Sequence, residues 1–242
     1  MTMPPSTIPP SAIEGVDASA GSGHLDYAAM AQKLAFVYHK ATDGVGTTDS
    51  MLYARAANIR AVGMGAVFGV YHFARVRHGT AQDADEQCKE FLDARAKAQA
   101  PLPPWFDVEL MSLTPAAQKI VNPPKGAIVS PQDVQTVHDE VRAACELFWE
   151  TWDKVATTDP APVLPFYSSP GEIQMLGLDQ IPGIQVYPLV VAAYNGGRPP
   201  PIPQPWTSCA FHQYAGDVNE FGGIVDQVRY FGTVEQLKAM GQ

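Results

Sequence analysis

The stretch 103-PPWFDVELM-111 sets two carboxylates, Asp107 and Glu109, two residues apart at the end of a short apolar run that two prolines introduce. In a strand, residues i and i+2 share a face. Asp107 and Glu109 are therefore expected side by side, with Val108 turned the other way. Burying two unpaired like charges costs several kcal/mol, or makes one of them take up a proton. A protonated acid beside an ionised one is what glycosidic bond cleavage uses. Asp-x-Glu also occurs by chance on solvated loops, so the surrounding chain has to decide.

Outward from this stretch, apolar runs and helical stretches alternate. The runs before it are 13-IEGVD-17, 34-LAFVYHK-40 and 66-AVFGVYHF-73; those after it are 163-VLPFY-167, 189-LVVAAYN-195, 209-CAFHQYA-215 and 223-GIVDQV-228. With 104-PWFDVEL-110 they make eight strand candidates. Helices are expected over about 27–33, 50–62, 81–100, 131–155 and 171–178, with Pro131 at a first turn, where proline is well tolerated. Residues 113–129 read as a Pro/Gly-rich excursion, and 198-RPPPIPQPW-206 as a stiff surface loop. Alternation of this kind argues for a parallel sheet with helices outside it. Eight strands without a composition break give the expected fold: α/β, a single irregular TIM-like (β/α) barrel with incomplete helices around the last three strands. Residues 1–12 read as a Pro-rich lead-in and 13–242 as the barrel.

A chain of 242 residues is long enough for one such barrel, and 46% apolar with 17% charged residues describes a globular protein. Twenty-five acidic against 16 basic side chains give a formal charge of −9. No Lys/Arg cluster forms a nucleic-acid footprint, and the acidity opposes simple capture of anionic surfaces. Cys88, Cys145 and Cys209 form neither a zinc spacing nor a disulfide framework, so free thiols are expected. The six histidines show no metal-binding spacing; no metal and no cofactor is expected. The N-terminus has no basic and apolar regions of a Sec signal, and no window approaches the ~18 apolar residues of a membrane span.

Active sites of such barrels collect at the carboxyl ends of the strands. Asp17 ends the first run, Lys40 the second, Tyr71 and Phe73 the third, and Asp107 and Glu109 the fourth. Tyr167 ends the fifth, Tyr194 and Asn195 the sixth, and Gln213 and Tyr214 the seventh, and Asp226 lies within the eighth. Four carboxylates, a lysine and several tyrosines thus converge on one rim. Lys40 reads equally as an ion-pair partner of an acid, and Tyr167 and Tyr194 as core tyrosines. His39 and His72 alternate away from the rim, and Trp105, Trp149 and Trp152 read as packing residues.

The ordered set 15-GVDAS-19, 36-FVYHKATDG-44, 69-GVYHFAR-75, 106-FDVE-109, 212-HQYAGDV-218 and 224-IVDQVRYF-231 resembles the family 25 glycoside hydrolases, the Chalaropsis-type lysozymes or N-acetylmuramidases. The resemblance implies an α/β barrel that hydrolyses the β-1,4 bond between N-acetylmuramic acid and N-acetylglucosamine in peptidoglycan. It places Glu109 on the general acid, Asp107 on its partner carboxylate, and Asp17 and Asp226 on the first- and last-strand aspartates. Tyr71 and Lys40 fall on groove-lining positions. The sequence departs from the pattern at 17-DASAGSG-23, at His212 in place of the usual tryptophan, and at Asp43 in place of a glutamate.

On this reading the partner is the peptidoglycan glycan strand, with no nucleic acid and no membrane, and the chain acts as a monomer. It reaches the cell wall by a route other than a visible signal peptide. Glu109 is expected to hold a proton because Asp107, Asp17 and Asp226 repel a further charge and because it is partly buried. The competing readings are another N-acetylhexosaminide hydrolase, whose Asp-x-x-Asp-x-Asp-x-Glu pattern 103-PPWFDVE-109 lacks, and a peptidoglycan-binding barrel with weak catalysis.

Overall fold

The fold was obtained as a computed structural model that describes residues 11–76, 81–155 and 162–242. Of the proline-rich lead-in, residues 1–10 lie outside the described residues. Eight strands close into a barrel in chain order: β1 (Ile13–Ala18), β2 (Phe36–Asp43), β3 (Phe68–Phe73), β4 (Trp105–Asp107), β5 (Phe166–Ser168), β6 (Leu189–Ala192), β7 (Phe211–Glu220) and β8 (Gly223–Tyr230). The helices are α1 (Tyr27–Lys33), α2 (Leu52–Ala61), α3 (Ala81–Ala98), α4 (Pro115–Val121), α5 (Pro131–Val155), α6 (Pro170–Met175) and α7 (Val234–Ala239). None of the described helices is long and apolar enough to cross a membrane.

The expected parallel sheet holds for β1 to β7 only. β8 runs antiparallel to both β7 and β1. The cause is local: Phe221 and Gly222 both have positive φ and fold the chain straight back after β7, so no crossover helix can intervene. Helices do thin out where expected. α6 has a single short run of six residues, and β6 is joined to β7 without an α-helix. Part of the vacated flank is covered by the proline-rich loop, whose Trp206 is buried, stacks on Phe166 at 5.9 Å and donates from Nε1 to the Tyr187 carbonyl. That loop is thus anchored rather than merely superficial.

Two helices went unexpected. α4 lies inside the Pro/Gly-rich excursion, with Thr114 capping Ala117 N and proline in its first turn. α7 opens on a Thr233/Gln236 capping box. Strand bounds also shift. β4 ends at Asp107. β5 begins only at Phe166, where Pro165 can offer its carbonyl, to Phe106 N, but no N–H.

The barrel lumen is an aromatic core. Phe36, Tyr38, Trp105, Phe211 and Tyr230 point inward with Val190 and Val228. Tyr38 lies stacked on Trp105 at 3.8 Å, and Phe211 meets Trp105 edge-on at 5.2 Å. Outside the barrel a second, aliphatic-rich core lies beneath the helices, where Phe148 of α5 stacks on Phe106 at 4.1 Å. Trp149 and Trp152 belong to that outer core, as expected. Cys88, Cys145 and Cys209 are free, and burial pushes the Cys88 and Cys209 thiols up to about 12.

Lumen rings this large need neighbours without side chains. A Cβ on Gly69 would fall 2.3 Å from the Tyr38 ring, and one on Gly15 2.4 Å from Phe36. Gly69→Ala should therefore destabilise the chain by about 1–3 kcal/mol, the usual range for overpacking. A lowered urea midpoint at unchanged m-value is the expected result; an unchanged midpoint would show that the lumen has slack.

Candidate active site

A cavity of about 190 Å³ is lined by Asp17, Lys40, Tyr71, Phe73, Asp107, Glu109, Tyr167, Tyr194, Gln213 and Asp226, together with Trp105 of the lumen core. Of the residues expected on the rim, Asn195 and Tyr214 are not in this lining: Asn195 donates to the Pro199 carbonyl and Tyr214 to Glu14. Asp107 is the last residue of β4, and the backbone stays extended through Glu109 (φ −130°, ψ 173°). The i, i+2 alternation therefore carries past the strand end, and both acids face the cavity. Asp226 arrives differently from the other acids. Because β8 is antiparallel, it is placed by pairing directly opposite Asp17 on β1.

Gln213 holds the acids in place. Its Nε2 donates to Asp17 Oδ2 at 2.9 Å and to Asp226 Oδ2 at 3.4 Å, while its Oε1 accepts from the Tyr167 and Tyr194 hydroxyls at 2.8 and 2.9 Å. One buried amide thus links side chains from β1, β5, β8 and the loop after β6. The Asp217 amide donates to the second oxygen of Asp226 at 2.7 Å. Asp107 is buried, and its Oδ1 has no hydrogen-bond partner.

All four acids are held above the ordinary carboxylate range, first of all by burial. For Asp17 the next cause is the charge of Asp226, and for Asp107 that of Glu109. Asp226 is raised by burial and pulled back by the Asp217 amide. Glu109 is pushed up to about 7, by burial and then by the charge of Glu172, with Tyr167 and Lys40 opposing. This corrects two expectations. Desolvation outweighs like-charge repulsion, and the leading charge on Glu109 comes from Glu172 rather than from Asp107. Burial and the nearby acids also raise Tyr71, Tyr167 and Tyr194, so their hydroxyls stay neutral donors.

Lys40 takes an acid as partner, but not one of the four in the cavity. It lines the cavity, lies 4.7 Å from the Phe73 ring centroid and pairs with Asp43 at 3.9 Å. Arg75 lies at the same distance from Phe73 and makes a two-pronged contact with Asp43 at 2.5 and 3.0 Å. The shortened acid at position 43 is therefore ion-paired on the rim. His212 is turned away from the cavity, with Nε2 on the Ala193 carbonyl, so its exchange for tryptophan does not strip the groove. His39 and His72 lie behind the wall, bonded to Arg55 and to Thr42 and Gln87, and burial lowers both to about 4. Asp17 caps no helix; the short turn after β1 is capped at Ser19.

Glu172, Trp105 and Arg75 were not anticipated at the site. Ser169-Pro170-Gly171-Glu172 does carry the S-x-x-E signature of a helix start, but nothing in it tells that β5 brings Glu172 against the turn after β4. No group of three or more His, Cys, Asp or Glu among the described residues is arranged to hold a metal ion.

Against this geometry, the family model described as glycosyl hydrolases family 25 matches residues 16–223, from β1 into β8. The chain belongs to that family. Solved structures agree on the fold of this family 25 glycoside hydrolase. A bacterial lysozyme from Streptomyces coelicolor superposes with a TM-score of 0.69 at 20% identity, over 96% of this chain and 98% of that one. A family 25 lysozyme from Aspergillus fumigatus gives 0.70 at 20% identity, over 96% and 99%. The spore cortex lytic enzyme of Clostridium perfringens gives 0.73 at 20%, over 95% and 70%. No curated protein matches the chain.

The raised Glu109 has a consequence for stability. Its carboxyl keeps a proton in the folded chain up to about pH 7, whereas an unfolded glutamate releases it near its ordinary 4.5. The folded state then binds more protons, so this group removes stability as pH rises through that window. Glu109→Gln should be more stable than wild type, by an amount that grows between those two pH values. Above neutrality the gain should level off at about 3 kcal/mol, at 1.36 kcal/mol per pKa unit. Urea unfolding at acid and alkaline pH checks it; a pH-independent difference would contradict the buried, raised carboxyl.

Proposed function

We propose that this family 25 glycoside hydrolase is a muramidase that cleaves the β-1,4 bond between N-acetylmuramic acid and N-acetylglucosamine in peptidoglycan, with Glu109 as general acid. The observation that carries the reading is a carboxyl pushed up to about 7 at the mouth of an acid-lined cavity. Such a group still has a proton to donate to the leaving oxygen where a free glutamate has lost it. The similar solved structures described as lysozymes support the substrate class.

The other side chains take roles that follow from their surroundings. Asp107 offers a buried, unpartnered Oδ1, suited to accept the N–H of a 2-acetamido group and turn its carbonyl oxygen toward the anomeric carbon. This substrate-assisted route is a known exception to the two-carboxylate scheme. Asp17 and Asp226, tied to Gln213, supply the negative field for an oxocarbenium-like transition state. Tyr194, more than half exposed at the rim, offers a ring face to a sugar. Lys40, Tyr71 and Phe73 line the opposite wall of the groove.

Mass spectrometry of digested peptidoglycan tests the bond: new reducing ends should lie on N-acetylmuramic acid. Reducing ends on N-acetylglucosamine would replace the muramidase reading with that of a glucosaminidase. Glu109→Gln, nearly isosteric but without the acidic proton, should stay folded and lose turnover by ~10²-fold or more, the scale of general acid catalysis. A folded Glu109→Gln protein with wild-type turnover would remove Glu109 from the role.

A further inference from the structure

We propose that Glu172 is a positioning residue for Glu109, a carboxylate clamped beside the turn that carries Glu109 so that its charge opposes a second charge there. The inference rests on the proposed role of Glu109 and adds a residue that the sequence motifs of the acid cluster do not contain.

The clamp is built from two neighbouring strands. β5 pairs with β4, and the chain leaves β5 at Ser168 to start α6. Ser169 caps that helix by accepting from Glu172 N at 3.2 Å. The Glu172 side chain serves both its own helix and the neighbouring turn. Its Oε1 accepts from Leu110 N, the amide next to Glu109, at 2.9 Å, and its Oε2 accepts from the Ser169 hydroxyl at 2.8 Å. Both oxygens act as acceptors, as those of an ionised carboxylate do. Glu109 is fixed from the other side, its own amide donating to Ser112 Oγ at 3.0 Å. The Glu172 carboxylate and the backbone of Glu109 are thus both tied to one short turn.

The groups that face Glu109 can be weighed element by element. Asp107 precedes it at the end of β4, and Asp17 of β1 and Asp226 of β8 line the same cavity. Lys40 of β2 is the nearby cation, and Tyr71, Tyr167 and Tyr194 contribute neutral hydroxyls. Of the charges, Glu172 raises Glu109 most, ahead of Asp226, while Lys40 lowers it. Asp107 does not replace it, because burial and Glu109 itself keep Asp107 raised.

The test follows the Glu109 side-chain carboxyl carbon by NMR during a pH titration of glutamate-labelled protein. It compares wild type, Glu172→Gln and Glu172→Asp. In Glu172→Gln the midpoint should fall by about one unit or more, the scale of one like charge a few ångströms away. Glu172→Asp keeps the charge but withdraws it by one methylene from the Leu110 amide, so its midpoint should lie between the other two. An unmoved midpoint in Glu172→Gln would overturn the proposal. Equal drops in both variants would overturn it too, because they share the lost contact but not the lost charge. The titration needs no turnover, so this inference and the muramidase reading can fail separately.

Discussion

The structure depends on a dry floor beneath a ring of acids. Tyr38 and Trp105 lie stacked across the lumen, with Phe36 and Phe211 set edge-on against them. Water cannot reach the carboxylates of Asp17 and Asp107 through such a plug, and both are almost wholly buried. Moving charge out of water is the largest cause of every raised carboxyl at the site. The glycines at 15 and 69 are part of the same device, since side chains there would collide with the rings that make the floor.

An acid ring over a dry floor has to be held against its own repulsion. Gln213 does this with one amide, donating to two aspartates and accepting from two tyrosines. The arrangement needs Asp226 directly opposite Asp17, and only the antiparallel β8 puts it there. The irregular half of the barrel is therefore a requirement of the site. A β7–β8 hairpin replaces a crossover helix, and Trp206 covers part of the exposed flank instead.

Much of this could be read from the chain because it is local. Alternation across 106-FDVE-109 put Asp107 and Glu109 on one face, and it survived even though the strand ends at Asp107. The order of apolar runs put the rim residues at strand ends, and all but Asn195 and Tyr214 line the cavity. What could not be read depends on contacts between distant segments. The direction of β8 follows from positive φ at Phe221 and Gly222, which the alternating pattern does not encode. Glu172 looks like an ordinary helix cap until β5 is known to lie beside β4. α4 and α7 were hidden for a simpler reason. Their cap residues, Thr114 and Thr233, were legible, but each helix is too short to show a periodic apolar face.

The central claim is that burial in this ring keeps the proposed general acid protonated up to neutral pH. The most direct test is kcat/KM against pH on a soluble peptidoglycan glycan fragment, since that ratio reports the ionisations of the free enzyme. The limits belong to the coupled cluster rather than to one side chain. The expected profile is bell-shaped: activity falls on the acid side as the charge-bearing aspartates take up protons, and falls again as pH rises through about 7, where Glu109 gives up its proton. An upper limb near 4.5, the value of an unperturbed glutamate, would contradict it.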